Sequence, residues 1–449
     1  MTTLMEMPFV ISFWQRVQIF QSLVMENRQS IQGPSRATLN YVPEREIHSL
    51  APIQIRARRG YIYEDAFEKL SKENEPSLHP RLNVTFLNEA DVVEMGVDGG
   101  GLSREFLNQA IAEGFNPARG FFLYTDDNTL YPNPNAAAVT PDYLKHFFFL
   151  GRLLAKAIYE GMLVELRFAH FFLAKLVSRT EGFSVGFDYL RSLDKELYRQ
   201  VSDSPQPTHP LYADGGVVNL RLFTRQLCML KTYEGNVRDL ELDFTTVQSA
   251  FGESRVIELK PGGSSIPVTN ATRVEYVHLV ANYKLNRQIY RQSKAFIAGM
   301  ADVLFLDWLR LFDAEELQVL ISGADMDIDV DDLKAHTHYV GGMKSPNPSD
   351  MTLPANKMTV EIFWRVVHGF TQEQKRSLLR FATACSRPPM FGFQDLQPPF
   401  SIQVVPDTER LPTSSTCMNL LKIPAYQDSR LLRSKLLYAL NANAGFEYS

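Results

Sequence analysis

Cysteine is scarce in this chain, with three residues, Cys228, Cys385 and Cys417, among 449. They are far apart and odd in number, which excludes a disulfide framework and favours a reducing compartment. The sequence contains no Cys-x-x-Cys pair, and its nine histidines are scattered. A structural zinc site is therefore not expected.

The chain also lacks a long apolar run and an excess of positive charge. No apolar stretch is long enough to span a bilayer, and the N-terminal segment has neither a basic leader nor a small-residue cleavage site. The net charge of -5 favours neither nucleic acid nor an anionic membrane as a partner. We expect a cytoplasmic location, with the nucleus as an alternative.

Two motif-like stretches each lack an essential residue. Alternate aspartates from Asp325 resemble the start of a calcium loop, but Val330 stands where that loop needs glycine and His336 where it needs glutamate. The glycines from Gly99 to Gly101 lack the Lys-Ser/Thr pair of a phosphate-binding loop. Neither a metal nor another cofactor is predicted.

The sequence predicts a helix at the start of the chain. Ser12 and Gln15 have the spacing of a capping box, and apolar residues follow at helical spacing from Phe13 to Val24. A polar linker with scattered prolines extends to residue 52. Alternating strand and helix signals then continue to about residue 335.

Two interruptions divide the rest of the chain. Residues 202–216 contain three prolines and are predicted to form a surface loop. A short helix is expected next, and a strand through Leu240 and Phe244. The second interruption begins at Tyr339, where paired glycines and prolines mark the boundary of a C-terminal segment of domain size.

Cys417 follows a polar Pro-Thr-Ser-Ser-Thr run. No histidine follows it, and the nearest upstream is His368, so a hydrolase lacks an evident base. Acyl transfer from one thiol to another depends less on a general base, because the attacking and leaving thiolates are similar. From these residues alone, an inert cysteine and a nucleophile both remain open.

The stretch LPTSSTCMNLLKIPAY closely resembles the active-site signature of HECT-type ubiquitin ligases. GVDGGGLSREFLN, LYPNP, FLGRLLAKAIYEGMLVEL, YEGN, IPVTN, YVGG and CSRPP fall in the order of that family, and Phe446 is fourth from the C-terminus, as in the family. The resemblance covers residues 53–449. The two ends, MPFVISFWQRVQIFQ and LLRSKLLYALNANAGFEYS, resemble the proteasome-associated branch of the family.

The resemblance implies an α/β (α+β) bilobal fold. A large, mostly helical N-lobe would span 53–338 and contain a small carrier-binding subdomain at about 195–277. A helix and linker at 1–52 would precede it. A smaller α/β C-lobe would span 343–449, after a hinge formed by residues 339–342. The implied hinge residues are Val340, Gly341 and Gly342.

The resemblance also implies a function. Cys417 would take ubiquitin as a glycyl thioester from a ubiquitin-conjugating enzyme, here called the carrier enzyme, and pass it to a substrate lysine. The implied partners are ubiquitin, the carrier enzyme and protein substrates, with the proteasome as a further candidate and no metal or cofactor. The apolar carrier contacts are expected to form an exposed patch, with core packing as the alternative. The implied carrier-contacting residues are Phe223, Leu227, Leu230, Tyr233, Asp239, Glu241 and Tyr276.

Four further residues are implied to support catalysis: Thr416, Phe446, Glu105 and Glu165. A carboxylate near the thioester would orient the lysine and accept its proton. Glu105→Gln and Glu165→Gln should then slow lysine transfer and spare thioester formation, whereas ordinary ion pairs are the alternative role. Ser415 replaces a histidine common in the family, which weakens a histidine-dependent mechanism but leaves thiol exchange intact.

Two rival classes remain open at this stage. A cysteine hydrolase acting on ubiquitin thioesters or isopeptides would need a histidine near Cys417 in the folded chain. A docking module would bind the carrier enzyme and never accept ubiquitin. The intact cysteine loop and the Phe446 tail argue against the docking module.

Overall fold

The structure is a computed structural model that describes residues 7–33, 51–71, 77–88, 91–94, 101–178, 184–198, 227–231, 233–250, 253–340 and 354–441. Its helices α1 to α15 are Phe13–Gln32, Ile62–Leu70, Gly101–Gly114, Tyr143–Tyr159, His170–Leu176, Lys195–Tyr198, Leu227–Lys231, Arg273–Leu285, Tyr290–Ala301, Leu306–Leu309, Ala314–Ser322, Val330–Ala335, Pro354–His368, Gln372–Thr383 and Ser429–Asn441. Its strands β1 to β10 are Ile53–Arg58, Leu82–Leu87, Phe122–Tyr124, Leu130–Pro132, Thr245–Ala250, Glu253–Glu258, His338–Val340, Ser401–Val405, Thr413–Ser415 and Leu420–Pro424. Among the helices in these ranges, none has the length and apolarity to cross a membrane.

Helix α1 begins at the capping box that the sequence predicts. The Ser12 hydroxyl accepts the Gln15 backbone N–H, and the Gln15 side chain accepts the N–H of Ser12. Arg16 holds the helix against α11, since it pairs with Glu316 at 2.6 Å and donates to the Leu311 carbonyl. The apolar face is buried in the main core, so α1 is docked on the larger domain. Its most buried apolar residues are Val17, Phe20 and Val24.

The main core is centred on a close crossing of α4 and α9. A β-carbon added at Gly299 would lie 1.9 Å from the Phe148 carbonyl oxygen, and one at Gly151 would lie 2.1 Å from the Phe296 carbonyl oxygen. Neither distance is compatible with a side chain, so the two helix backbones meet where glycine provides room. This contact fixes the helical layer against which α3 and α5 pack.

The region predicted to bind the carrier enzyme contains a two-stranded hairpin. Strands β5 and β6 pair antiparallel from Thr245↔Glu258 to Ala250↔Glu253. The strand predicted through Leu240 is wrong there, because Val237–Leu240 forms a 3-10 turn and the strand begins only at Thr245. The Asn236 side chain caps this turn by accepting the Arg238 N–H. The loop predicted at 202–216 lies outside the described residues.

A second, smaller core surrounds a four-stranded sheet in the order β7-β8-β10-β9. Strand β8 runs parallel to both β7 and β10, and β9 pairs antiparallel with β10. Helices α13 and α14 pack against this sheet, and α15 packs against both of these helices. The two cores, one mainly helical and one mixed, agree with the expected bilobal α/β fold.

The change from one core to the other occurs earlier than the sequence predicts. Ile321 is the last buried residue of the first core, whereas Ile328, Val330 and Leu333 already belong to the second. The N-lobe boundary predicted at 338 is therefore corrected to the segment between Ile321 and Ile328. Glycine pairs are common in turns, so the pair at 341–342 was a weak guide to the boundary.

The predicted hinge includes a residue that the structure places in a strand. Val340 ends β7, and its register partner is Gln403 on β8. Val340 is therefore part of the C-terminal sheet and not of a flexible linker between the two cores. Gly341 and Gly342 lie outside the described residues.

Candidate active site

Cys417 lies at the centre of a tight turn between two paired strands. Residues Thr416–Met418 form a 3-10 turn that joins β9 to β10. Asn419 closes it with a left-handed backbone, φ 48°, a conformation that asparagine tolerates better than most residues. The thiol of Cys417 lies outside the described part of the structure.

Hydrogen bonds on both sides hold this turn in place. Before it, the Ser414 hydroxyl donates to the Phe381 carbonyl on α14 at 2.6 Å. After it, the Asn419 side-chain amide donates to the Pro398 carbonyl at 2.5 Å, and the Asn419 carbonyl accepts the Ser401 N–H. The turn is therefore a fixed feature of the smaller core.

The turn packs against α3 of the larger core, and an open cleft of about 940 Å³ lies beside it. Thr416 lines this cleft from one side, and Glu105 and Glu165 line it from the other. The structure thus brings together three of the residues that the sequence analysis singled out. No histidine is among the described residues that line the cleft.

The Glu105 carboxylate is held by an arginine that the sequence analysis did not identify. Arg59 forms an ion pair with Glu105 and a second one with Glu94 at 2.8 Å. The guanidinium also lies 3.7 Å from the centre of the Phe86 ring. Nothing in the local sequence predicts this arrangement, because Arg59 follows β1 and Glu105 belongs to α3.

The Glu165 carboxylate faces the second core. One oxygen accepts the Ser386 backbone N–H at 2.8 Å, and the other lies 3.0 Å from Nε of Arg380. These contacts link the segment after α4 to α14 and to the loop that follows it. Ser386 belongs to the CSRPP motif, whereas nothing in the sequence distinguishes Arg380 from an ordinary surface arginine.

Cys385, in the same loop, is a buried free cysteine. Its side chain is 5% exposed, and Sγ lies 3.8 Å from the Ser322 carbonyl oxygen and 3.7 Å from that of Arg387. Burial disfavours the thiolate and raises the pKa of Cys385 to about 11. The role of this residue is to pack the loop against the end of α11.

We predict that Cys385 resists alkylation in the native protein at pH 7.5. With its pKa near 11, about one thiol in a thousand or fewer is ionised, and burial also blocks access. Iodoacetamide treatment followed by peptide mass spectrometry should leave Cys385 unmodified, while the same treatment in denaturant should modify it fully. Rapid native labelling would mean that the loop at 385–387 opens readily.

A protein-family model described as HECT-domain (ubiquitin-transferase) matches residues 108–449. The chain belongs to the HECT-domain family. Similar relatives include E3 ubiquitin-protein ligase UPL6 of Arabidopsis thaliana, 38% identical over 452 residues, which cover 99% of this chain and 39% of the relative. Ubiquitin-protein ligase E3B of Homo sapiens is 34% identical over 471 residues, 98% of this chain and 40% of the relative.

E3 ubiquitin-protein ligase HUL5 of Saccharomyces cerevisiae is 33% identical over 450 residues, which cover 99% of this chain and 45% of the relative. This HECT domain thus spans about two fifths of the length of the relatives it matches. Below, the N-lobe denotes the larger core with its elements through Ile321, and the C-lobe denotes the smaller core from Ile328 onward.

Three of the implied carrier contacts are core residues of this HECT domain. Leu227, Leu230 and Tyr276 are 1%, 3% and 7% exposed, and the Tyr276 ring meets Phe244 edge-on. They do not form the exposed patch that the sequence analysis expected. Helical spacing identifies residues on one face, but it does not say whether that face meets solvent or a neighbouring element.

The other implied carrier contacts differ in exposure. Asp239 and Glu241 are exposed, and Tyr233 is half-buried with its carbonyl accepting a hydrogen bond from Arg273. Phe223 lies outside the described residues, as does Phe446. Leu440, near the end of α15, lines the same cleft as Thr416.

Proposed function

We propose that this HECT domain accepts ubiquitin from a carrier enzyme as a thioester on Cys417 and transfers it to a substrate lysine. The observation that carries the proposal is the placement of the Cys417 turn at a cleft lined by the two N-lobe carboxylates, Glu105 and Glu165. A turn fixed at both ends and open to a cleft is suited to presenting a nucleophile to two large partners in succession.

The first step is an exchange of one thioester for another. The Cys417 thiolate attacks the carbonyl carbon of the carrier-bound ubiquitin, the new C–S bond forms, and the carrier thiolate leaves. Because the attacking and leaving groups are alike, the step needs no strong base. Ser415 in place of the family's common histidine is compatible with this chemistry, and the Thr416 hydroxyl beside the cysteine is a hydrogen-bond donor at the cleft.

The second step forms an isopeptide bond. A neutral lysine amine attacks the Cys417 thioester, the Cys417 thiolate leaves, and the amine gives up a proton. Lysine is mostly protonated at neutral pH, so a nearby carboxylate accelerates the step by orienting the amine and accepting that proton. We assign this role to Glu105, whose partner Arg59 fixes the carboxylate at the cleft.

We propose that the carrier enzyme docks on the small subdomain at about 195–277. Exposed Asp239 and Glu241 and half-buried Tyr233 form the contact surface, and the buried leucines Leu227 and Leu230 support it from beneath. Phe446 comes six residues after Leu440, which lines the cleft, and six residues can span at most about 20 Å. Its aromatic ring would add apolar contact between the lobes.

The whole protein is proposed to ubiquitinate substrates for degradation by the proteasome, in the cytoplasm or alternatively the nucleus. The proposal of a proteasome link rests on the resemblance of both ends of the chain to the proteasome-associated branch.

The test of the proposed function is a thioester assay. The protein is mixed with ubiquitin, the activating enzyme and a panel of carrier enzymes, and the reaction is quenched without reductant. A ubiquitin adduct that thiol reagents remove is the expected product. If every carrier shown to be charged leaves the protein unmodified, the transferase proposal is wrong and the docking-module alternative takes its place.

Glu105→Gln is expected to slow ubiquitin discharge to free lysine by about 10- to 100-fold and to leave thioester formation unchanged. Glutamine keeps the size of the side chain but does not accept the proton, and Arg59 retains its pair with Glu94. Single-turnover discharge of the preloaded protein measures the effect. Glu113→Gln is the matched control, since Glu113 lies on the same helix but pairs with Arg119. Equal discharge rates for Glu105→Gln and the wild type would contradict the assignment.

A further inference from the structure

Glu165 lies on a segment that the N-lobe holds rigidly. The Val164 N–H donates to the Ile321 carbonyl at 2.9 Å, and the Gln318 side chain donates to the Leu166 carbonyl at 2.8 Å. The same Gln318 side chain accepts the Phe168 N–H. Residues on both sides of Glu165 are thus bound to α11, so its carboxylate is a fixed point of the N-lobe surface.

The partners of that carboxylate belong to the C-lobe. Oε1 accepts the Ser386 backbone N–H, and Oε2 pairs with Arg380 on α14. Hydrogen bonds to an ionised carboxylate are stronger than those between neutral groups. Both oxygens are therefore directed at the other lobe and away from an incoming amine, which distinguishes Glu165 from Glu105, whose partner Arg59 belongs to its own lobe.

The contact with Glu165 is connected directly to the Cys417 turn. Phe381 is the residue after Arg380 on α14, and its carbonyl accepts the Ser414 hydroxyl at 2.6 Å. Ser414 lies in β9, which leads into the turn Thr416–Met418. A displacement of Arg380 relative to the N-lobe therefore moves the turn with it, because α14 and β9 are joined next to both residues.

We propose that Glu165 is a positioning residue that latches the C-lobe in the orientation for lysine transfer. The latch consists of Glu165, Arg380 and the Ser386 N–H. When the latch is closed, the Cys417 turn lies at the cleft that Glu105 lines. This inference rests on the proposed transferase function and deepens it.

The ion pair of the latch is partly exposed to water. Arg380 is 67% exposed, and Glu165 is 28% exposed. Ion pairs with such access to water contribute little stability, since water competes for both groups. Two modest contacts bias the orientation of the lobe without locking it.

A charge exchange tests the latch. Glu165→Arg and Arg380→Glu are each expected to slow single-turnover discharge to lysine by about 5- to 10-fold, and to change thioester formation by less than about twofold. The double variant Glu165→Arg/Arg380→Glu restores an attractive pair but not the hydrogen bond from the Ser386 N–H, which an arginine side chain does not accept. It should therefore discharge faster than either single variant but more slowly than the wild type. Lys375→Glu, the same charge change on the same helix away from the cleft, should discharge at the wild-type rate.

The outcomes separate the latch from the other roles of Glu165. If the double variant is as slow as Glu165→Arg while Arg380→Glu alone discharges normally, the carboxylate acts directly on the lysine and the latch is wrong. Arg380 is largely exposed, so Arg380→Glu does not threaten folding and tests the latch even where Glu165→Arg destabilises the protein. If the transferase proposal itself is wrong, the wild-type protein forms no ubiquitin thioester, and the thioester assay shows this before any variant is compared.

Discussion

Cys417→Ala is expected to abolish formation of the ubiquitin thioester and to reduce substrate ubiquitination by more than about a thousandfold, because removing an enzyme's nucleophile eliminates the covalent route. The substitution removes one sulfur atom, so the fold should be preserved. Both the covalent adduct on a non-reducing gel and the rate of isopeptide formation measure the effect.

Cys417→Ser makes the same test more specific. A serine hydroxyl at this position is expected to form an oxygen ester with ubiquitin, at a slower rate, and that ester should survive thiol reagents but not strong base. A change from a thiol-sensitive to a thiol-resistant adduct identifies residue 417 as the attachment point.

Cys385→Ala is the control for both variants. Cys385 is buried against the Ser322 and Arg387 carbonyls and has a pKa near 11, so it is not expected to carry ubiquitin. The alanine variant should form the thiol-sensitive adduct as the wild type does. An adduct that persists in Cys417→Ala would mean that another nucleophile accepts ubiquitin.

Gly299→Ala is expected to destabilise the N-lobe by about 3 kcal/mol or more. In the middle of an ordinary helix, replacing glycine by alanine stabilises the protein by up to about 1 kcal/mol. A loss of stability in Gly299→Ala would therefore be caused by the close crossing of α4 and α9. The new methyl group would lie 1.9 Å from the Phe148 carbonyl oxygen, and a backbone atom does not move aside as a flexible side chain does. The helices would have to separate, with loss of packing along the crossing.

Scanning calorimetry should show this loss as a decrease in Tm of about 5–10 °C for the N-lobe transition. Gly60→Ala is the matched control, since a β-carbon at Gly60 meets no atom within 4 Å. Its Tm should stay close to that of the wild type. A Gly299→Ala protein with an unchanged Tm would mean that α4 and α9 do not cross as closely as described.

Local signals predicted the elements whose ends are defined by nearby residues. The capping box at Ser12 and Gln15 marks the start of α1. Strand β1 alternates buried and exposed residues as its sequence does. These features depend on contacts within a few residues, so a single sequence contains the information.

Features that depend on distant partners could not be predicted in the same way. The sequence does not show that β7 joins the second sheet through β8, so the lobe boundary was placed too late. It does not show that Leu227 and Leu230 face the core, nor that Glu165 meets Arg380. The family motifs assigned both Glu105 and Cys417 to catalysis. That Glu105 and the Cys417 turn lie at the same cleft depends on how the two lobes pack, which the sequence does not show.

The docked helix α1 determines where this domain can be joined to another protein in a fusion. The family match begins at residue 108, in the middle of α3, whereas Val17, Phe20 and Val24 are almost completely buried in the same core as that helix. A portable catalytic module cut at the family boundary would carry an uncovered apolar groove and be prone to aggregate. A fusion that gives this ligase domain a new recruiting region should therefore be joined ahead of Ser12, so that the cap of α1 stays intact.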